Sequence, residues 1–130
     1  MRDASESFRT NAPADRLVLG IIPKEKSGYP NEFVDVVIRT HLTGADPMGH
    51  DSRNHINAMT ADAMIAVAGG KGTHAEIDLA RRLYGKRVLI YLNPGEKIGD
   101  DDAAALRAAG FDCFTNLAQL IATLKEVLGV

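Results

Sequence analysis

The sequence has no tryptophan, one cysteine, and aromatic residues at only 5%. Proteins that hold single-stranded nucleic acid offer aromatic platforms on which bases stack, so this chain is a poor candidate for that role. The lone Cys113 excludes an intramolecular disulfide and cannot build a metal site by itself. In Phe111-Asp112-Cys113-Phe114 it reads as an inert thiol in a short buried strand. An excess of one charge is missing too: 15 basic residues face 17 acidic ones, for a net charge of −2, with no basic block and no acidic tail. No apolar run approaches the length of a membrane span. The first dozen residues are polar and lack the apolar centre of a signal peptide. A cytoplasmic location is therefore expected, with neither membrane nor nucleic acid as a partner. His41, His50, His55 and His74 show neither H-x-x-x-H nor H-E-x-x-H spacing, so no metal is expected.

What remains is an ordinary globular composition. Apolar residues at 45% and charged residues at 25% over 130 positions allow one domain with a real core, spanning residues 1–130. Apolar, β-branched runs predict strands at residues 17–22, 33–38, 63–68, 87–92 and 111–114. Residues 1–11 read as the tail of a helix ended by Pro13. Ser52 can cap a helix over residues 53–60. Asp100-Asp101-Asp102 opens an Ala-rich helix that Gly110 stops, and Leu117, Leu120, Ile121, Leu124 and Leu128 form the inner face of a closing helix. Strands alternating with helices predict an α/β fold, a parallel sheet with helices on both faces. In such sheets ligands bind beyond the carboxyl ends of the strands. Three loops are expected to gather there: residues 23–31, 40–51 and 69–73.

The chain is organised around residues 61–83. An apolar run leads into Gly69-Gly70-Lys71-Gly72, whose backbone can approach a ligand closely because three of its four residues lack a Cβ. A helix is expected from Thr73, with Ile77, Ala80, Leu83 and Tyr84 on one face. Strand, glycine loop and helix start together make a phosphate site, since the first-turn amides point outward and the helix dipole favours an anion. A tight turn with no ligand is the competing reading. Two readings also stand for Glu76. Thr73-x-x-Glu76 fits a capping box, and a carboxylate beside an anion site also fits a catalytic group. Lys71 can touch a phosphate, but no Lys-Ser or Lys-Thr follows the last glycine, so this is not a Walker loop.

Two segments, S-R-N-H-I-N-A-M and A-G-G-K-G-T-H-A-E-I, resemble the LOG-like superfamily of Rossmann-type proteins, long labelled "possible lysine decarboxylase". Its hallmark is P-G-G-x-G-T-x-x-E preceded by an Arg-bearing helix. The resemblance implies that Gly69, Gly70, Gly72 and Thr73 hold a 5′-phosphate. In phosphoribohydrolases of this kind, it implies that Arg53 and Glu76 work at the N-glycosidic bond of a nucleoside 5′-monophosphate. A carboxylate there would stabilise the oxocarbenium-like centre, and a guanidinium would position ribose or phosphate. The chain departs from the LOG pattern at Asn54, where a Lys is usual, and at Ala68, where a Pro is usual. Arg53-Asn54, G-I-I-P and Y-P-N-E-F-V-D-V-V-I are more similar to the branch of molybdenum cofactor carrier proteins, which bind rather than hydrolyse. That branch implies a nucleotide or the molybdenum cofactor as bound ligand, with Arg53, Asn54 and Glu76 as contacts. The family opens with strands that have no counterpart before Met1, more than one βαβ unit of about 30 residues. The expectation is either a fragment or a sheet edge covered by a partner subunit, and hence a homo-oligomer.

Overall fold

A computed structural model describes residues 2–23, 30–42, 46 and 49–130. The chain divides into two compact units, Met1–Arg53 and Asn54–Val130. The first unit holds helix α1 (Arg2–Asn11) and strands β1 (Leu19–Pro23) and β2 (Val36–Thr40). β1 and β2 pair in parallel, from Leu19 opposite Val36 to Pro23 opposite Thr40. Val18 starts the pairing: its carbonyl accepts from the Asp35 and Val36 amides at 2.8 and 3.1 Å, and its own amide donates to the Asp35 carboxylate at 2.8 Å. Asp35 also pairs with Arg9 of α1, fastening the helix to the start of β2. Ile21 and Ile22 are buried, but Leu17, Leu19, Val36, Val37 and Ile38 are exposed. Among the described residues β1 and β2 are hydrogen-bonded only to each other, and the expected burial on both faces fails for most of this pair.

The second unit carries β3 (Ala63–Ala66), β4 (Arg87–Tyr91) and β5 (Asp112–Phe114), parallel and in that order. Helices α2 (Asn54–Thr60), α3 (Lys71–Asp78), α4 (Ala103–Ala108) and α5 (Leu117–Leu128) surround them. The central strand β4 has the fully apolar run of a strand covered on both sides, and Val88, Leu89 and Ile90 are buried. Side chains alternate across a strand. Val88 and Ile90 join a core with Ile77, Leu79, Ala80 and Leu106, while Leu89 lies on the other face, where α5 packs across all three strands. This is a parallel sheet with helices on both faces, a Rossmann-like α/β arrangement.

Three helix ends follow from single residues. Asp102 caps α4, its Oδ1 accepting from the Ala104 and Ala105 amides at 2.9 Å each. Those bonds, that to Ala105 foremost, hold its carboxyl below the usual aspartate range. The helix starts after the acidic triplet, since Asp100 and Asp101 belong to the preceding turn. Asn116 caps α5 in the same way, and Gly129 ends it in the left-handed conformation at φ +70°. Of the expected inner face of α5, Leu120 is buried, whereas Leu117, Ile121 and Leu128 are exposed.

After Asp78 the helix widens into a π turn over Leu79–Leu83. Such a turn rotates less per residue than an α-helix. Ile77 and Ala80 keep their buried places, Leu79 joins them, and Leu83 falls short of the inner face and is exposed. Tyr84 packs against the core, and its hydroxyl lies 2.9 Å from His55 Nδ1 on α2. Cys113 is half-buried on β5, and burial pushes its thiol pKa up, away from a reactive thiolate.

Candidate functional site

Helix α3 starts at Lys71, two residues before the expected start at Thr73. Gly70 is its N-cap, with extended φ −87° and ψ −161°, and no side chain caps it. Thr73 is thus the third helical residue, and a capping box with Glu76 is excluded because the box needs Thr73 at the cap. The physical reason is that Gly70 makes the turn into the helix without a side-chain bond. The first amide bonded within the helix is that of His74, to the Gly70 carbonyl at 3.2 Å. By helix geometry the amides of Lys71, Gly72 and Thr73 face out of the N-terminal end without an intrahelical acceptor.

The three glycines of this loop differ in what they do. A Cβ on Gly69 would meet Thr73 Oγ1 at 2.2 Å and its Cβ at 2.9 Å, so only glycine fits under that side chain. Gly69 is also held along its backbone. Its amide donates to the Lys97 carbonyl at 3.1 Å, and its carbonyl accepts from the Gly99 amide at 2.8 Å. Gly70 and Gly72 are exposed, have no positive φ, and would find no atom within 4 Å of an added Cβ. Gly70 stands at the N-cap, where glycine is favoured, but the chain's own packing gives Gly72 no reason to be glycine. Gly72 even stands in a helix, where glycine is the weaker choice by about 1 kcal/mol relative to alanine.

The segment that grips Gly69 is a tight turn, Ile98-Gly99-Asp100-Asp101, whose ends exchange amide–carbonyl bonds of 2.9 and 3.1 Å. Gly99 has φ +62°, which glycine alone adopts without strain. Ile98 is fully buried beneath it. Asp101 Oδ2 lies 3.0 Å from His74 Nε2, and Asp78 Oδ2 lies 3.6 Å from His74 Nδ1 on the other side of the ring. Sequence reasoning gives His74 no metal-ligand spacing and places Asp101 in a helix start. The Gly-Asp pair at 99–100 is the turn signal from which the segment is legible.

The sequence-predicted residues Gly69, Gly70, Lys71, Gly72, Thr73 and Glu76 thus lie together at the start of α3. Lys71 is exposed as the first helical residue. Glu76 is half-buried one turn beyond Gly72, on the same side of the helix by the i, i+4 rule. Asn54 is buried as the first residue of α2. Arg53 belongs to the first unit and donates from Nη1 to the Ile21 carbonyl at 3.0 Å, so part of its guanidinium is engaged with β1. The two other loops expected at the site, 23–31 and 40–51, lie partly outside the described residues, which omit 24–29, 43–45 and 47–48. Among the described residues no group of three or more His, Cys, Asp or Glu side chains is placed to hold a metal ion, and no helix is long and apolar enough to cross a membrane.

A parallel sheet whose strand β3 runs through a glycine loop into the start of a helix defines a Rossmann-like α/β protein. The chain belongs to the SLOG cluster4 family, whose model matches residues 1–122. The SLOG superfamily also includes the LOG-like proteins, and membership points to nucleotide-related ligand binding or processing. The chain is similar to an uncharacterised protein of Archaeoglobus fulgidus, with 43% identity over 72 residues. That match covers 55% of this chain and 42% of the archaeal protein. No solved structure matches.

Proposed function

We propose that this chain is a nucleotide-binding domain that holds a phosphate-bearing, nucleotide-like ligand at Gly69–Thr73 and the start of α3, in the manner of molybdenum cofactor carriers. The observation that carries the reading is Gly72, a glycine in the first turn of a helix, without positive φ and with open space where a Cβ would stand. A ligand resting against the backbone supplies the missing reason, and the outward amides of the first turn supply its hydrogen bonds. Lys71 adds a cation at the same place. Thermal-shift and calorimetric titration with a panel of nucleotides and a pterin phosphate tests this. At least one compound raises the unfolding temperature; a folded preparation that responds to none contradicts the reading.

A second reading has its own support. With the capping box gone, Glu76 has lost that structural explanation, and it stands one turn from Gly72. In this reading Glu76 stabilises positive charge on a ribose whose 5′-phosphate sits in the loop. The reaction is hydrolysis of the N-glycosidic bond of a nucleoside 5′-monophosphate. Chromatography of AMP incubated with the protein then shows free adenine, and Glu76→Gln abolishes it.

The proposal extends to assembly. The exposed apolar side chains of β1 and β2 support a homo-oligomer that covers them. Light scattering at low micromolar concentration then gives at least a dimer, whereas a clean monomer that unfolds cooperatively removes the idea.

A further inference from the structure

The 98–101 turn is not part of the glycine motif, yet it is bonded to that motif at two separate points. One is the backbone ladder to Gly69, and the other is the His74–Asp101 contact. We propose that His74 is a positioning residue for the ligand loop, latching the turn to α3 through Asp101 and so keeping Gly69 in place. The proposal rests on the reading that the start of α3 receives a phosphate-bearing ligand.

The latch closes a ring of contacts. Gly69 bonds to Lys97 and Gly99; Ile98 is bonded to Asp101 through both backbone groups; Asp101 Oδ2 meets His74 Nε2; and His74 stands five residues after Gly69 on the helix that follows it. The charged groups around the ring are Asp101 from the turn and Asp78 from the same helix, with Arg82 Nε 3.2 Å behind Asp78. At 3.0 Å the Asp101 contact is a hydrogen bond, whereas the Asp78 contact at 3.6 Å is a charge contact when the ring is protonated. The pair is partly exposed, His74 at 32% and Asp101 at 42%, so the latch trims a geometry and does not hold the fold.

The test compares wild type, His74→Ala and His74→Gln in the full chain. Amide hydrogen exchange is followed by NMR at Gly69 and Gly99, with Ile90 as a core reference, and AMP affinity is measured by calorimetry. Alanine is a better helix former than histidine, so loss of helix propensity cannot account for a defect in that variant. Glutamine places an amide nitrogen where Nε2 stood and keeps the bond to Asp101. The expected result is exchange about threefold faster at Gly69 and Gly99 in His74→Ala, no change at Ile90, and AMP binding about threefold weaker, the size a half-exposed pair allows. His74→Gln restores most of both. Unchanged exchange in His74→Ala overturns the latch. Faster exchange with unchanged AMP affinity overturns its bearing on the ligand. Equal defects in the Ala and Gln variants overturn the role of the Asp101 bond. If wild type itself binds no AMP, the functional reading fails for that probe, and the exchange data alone decide whether the latch exists.

Discussion

Two apolar runs of nearly the same character meet different fates in this molecule. Val88-Leu89-Ile90 lies in the middle strand of three, with helices over both faces, and Leu89 and Ile90 are 0% exposed. Val36-Val37-Ile38 lies in a two-stranded pair, and all three are exposed, Ile38 at 42%. Composition makes each run a strand, because β-branched side chains fit the pleat. What separates them is the number of neighbours the topology supplies. Burial belongs to the neighbourhood and not to the run.

The comparison can be broken most forcefully at its extremes. Ile90→Ala removes a fully enclosed side chain and is expected to cost about 2–5 kcal/mol of stability in chemical denaturation. Val37→Ala, exposed in the single chain, is expected to change it by no more than about 0.5 kcal/mol in a dilute monomeric sample, and by clearly more at concentrations where the proposed oligomer covers β2. A small change at every concentration would count against that oligomer. The glycine loop gives the next contrast. Gly69→Ala forces a Cβ against Thr73 and is expected to cost about 1–3 kcal/mol, whereas Gly72→Ala is expected to gain up to about 1 kcal/mol of helix stability. Calorimetry on the same variants should show Gly72→Ala weakening AMP despite that gain. If it binds as wild type does, the open space at Gly72 is not a ligand's place.

The smallest expected effect is the cap of α4. Asp102→Ala should lower the unfolding midpoint at neutral pH, since the carboxylate accepts two first-turn amides. The Asp102 pKa is depressed in the folded state, so its contribution is fully present above the unfolded value, about 3.9, and is lost as pH falls through the folded value. The difference between variant and wild type should therefore narrow in acid titrations below about pH 4. A constant difference across that range would show that the bonds to Ala104 and Ala105 are not charge-assisted.

Much of the second unit is legible from residue pattern alone. The run at β4, the glycine loop after β3, and the stop at Gly110 each carry a local signal that the fold respects. The start of α3 misleads because Thr73 and Glu76 have capping-box spacing, while Gly70 can turn the chain without any side-chain bond. The spacing is a true pattern with another cause. Leu83 misleads because a period of 3.6 is assumed across a π turn, and nothing in Leu-Ala-Arg-Arg-Leu announces the wider one. The exposure of Val36 and Val37 is illegible for a different reason, since a strand's own residues do not state how many strands flank it. The His74–Asp101 contact joins residues 27 positions apart through a turn whose partner, Gly69, no short motif specifies.

The π turn at Leu79–Leu83 also says something about chain length. A turn closed by i→i+5 bonds contains one more residue than an α turn between the same two ends. Removing one residue there lets the helix close in the α form, with the glycine loop before it and β4 after it kept in place. A relative one residue shorter between Asp78 and Tyr84 would thus share this fold without moving its site, and an alignment gap at that point would mark a change of helical pitch and not the loss of a contact.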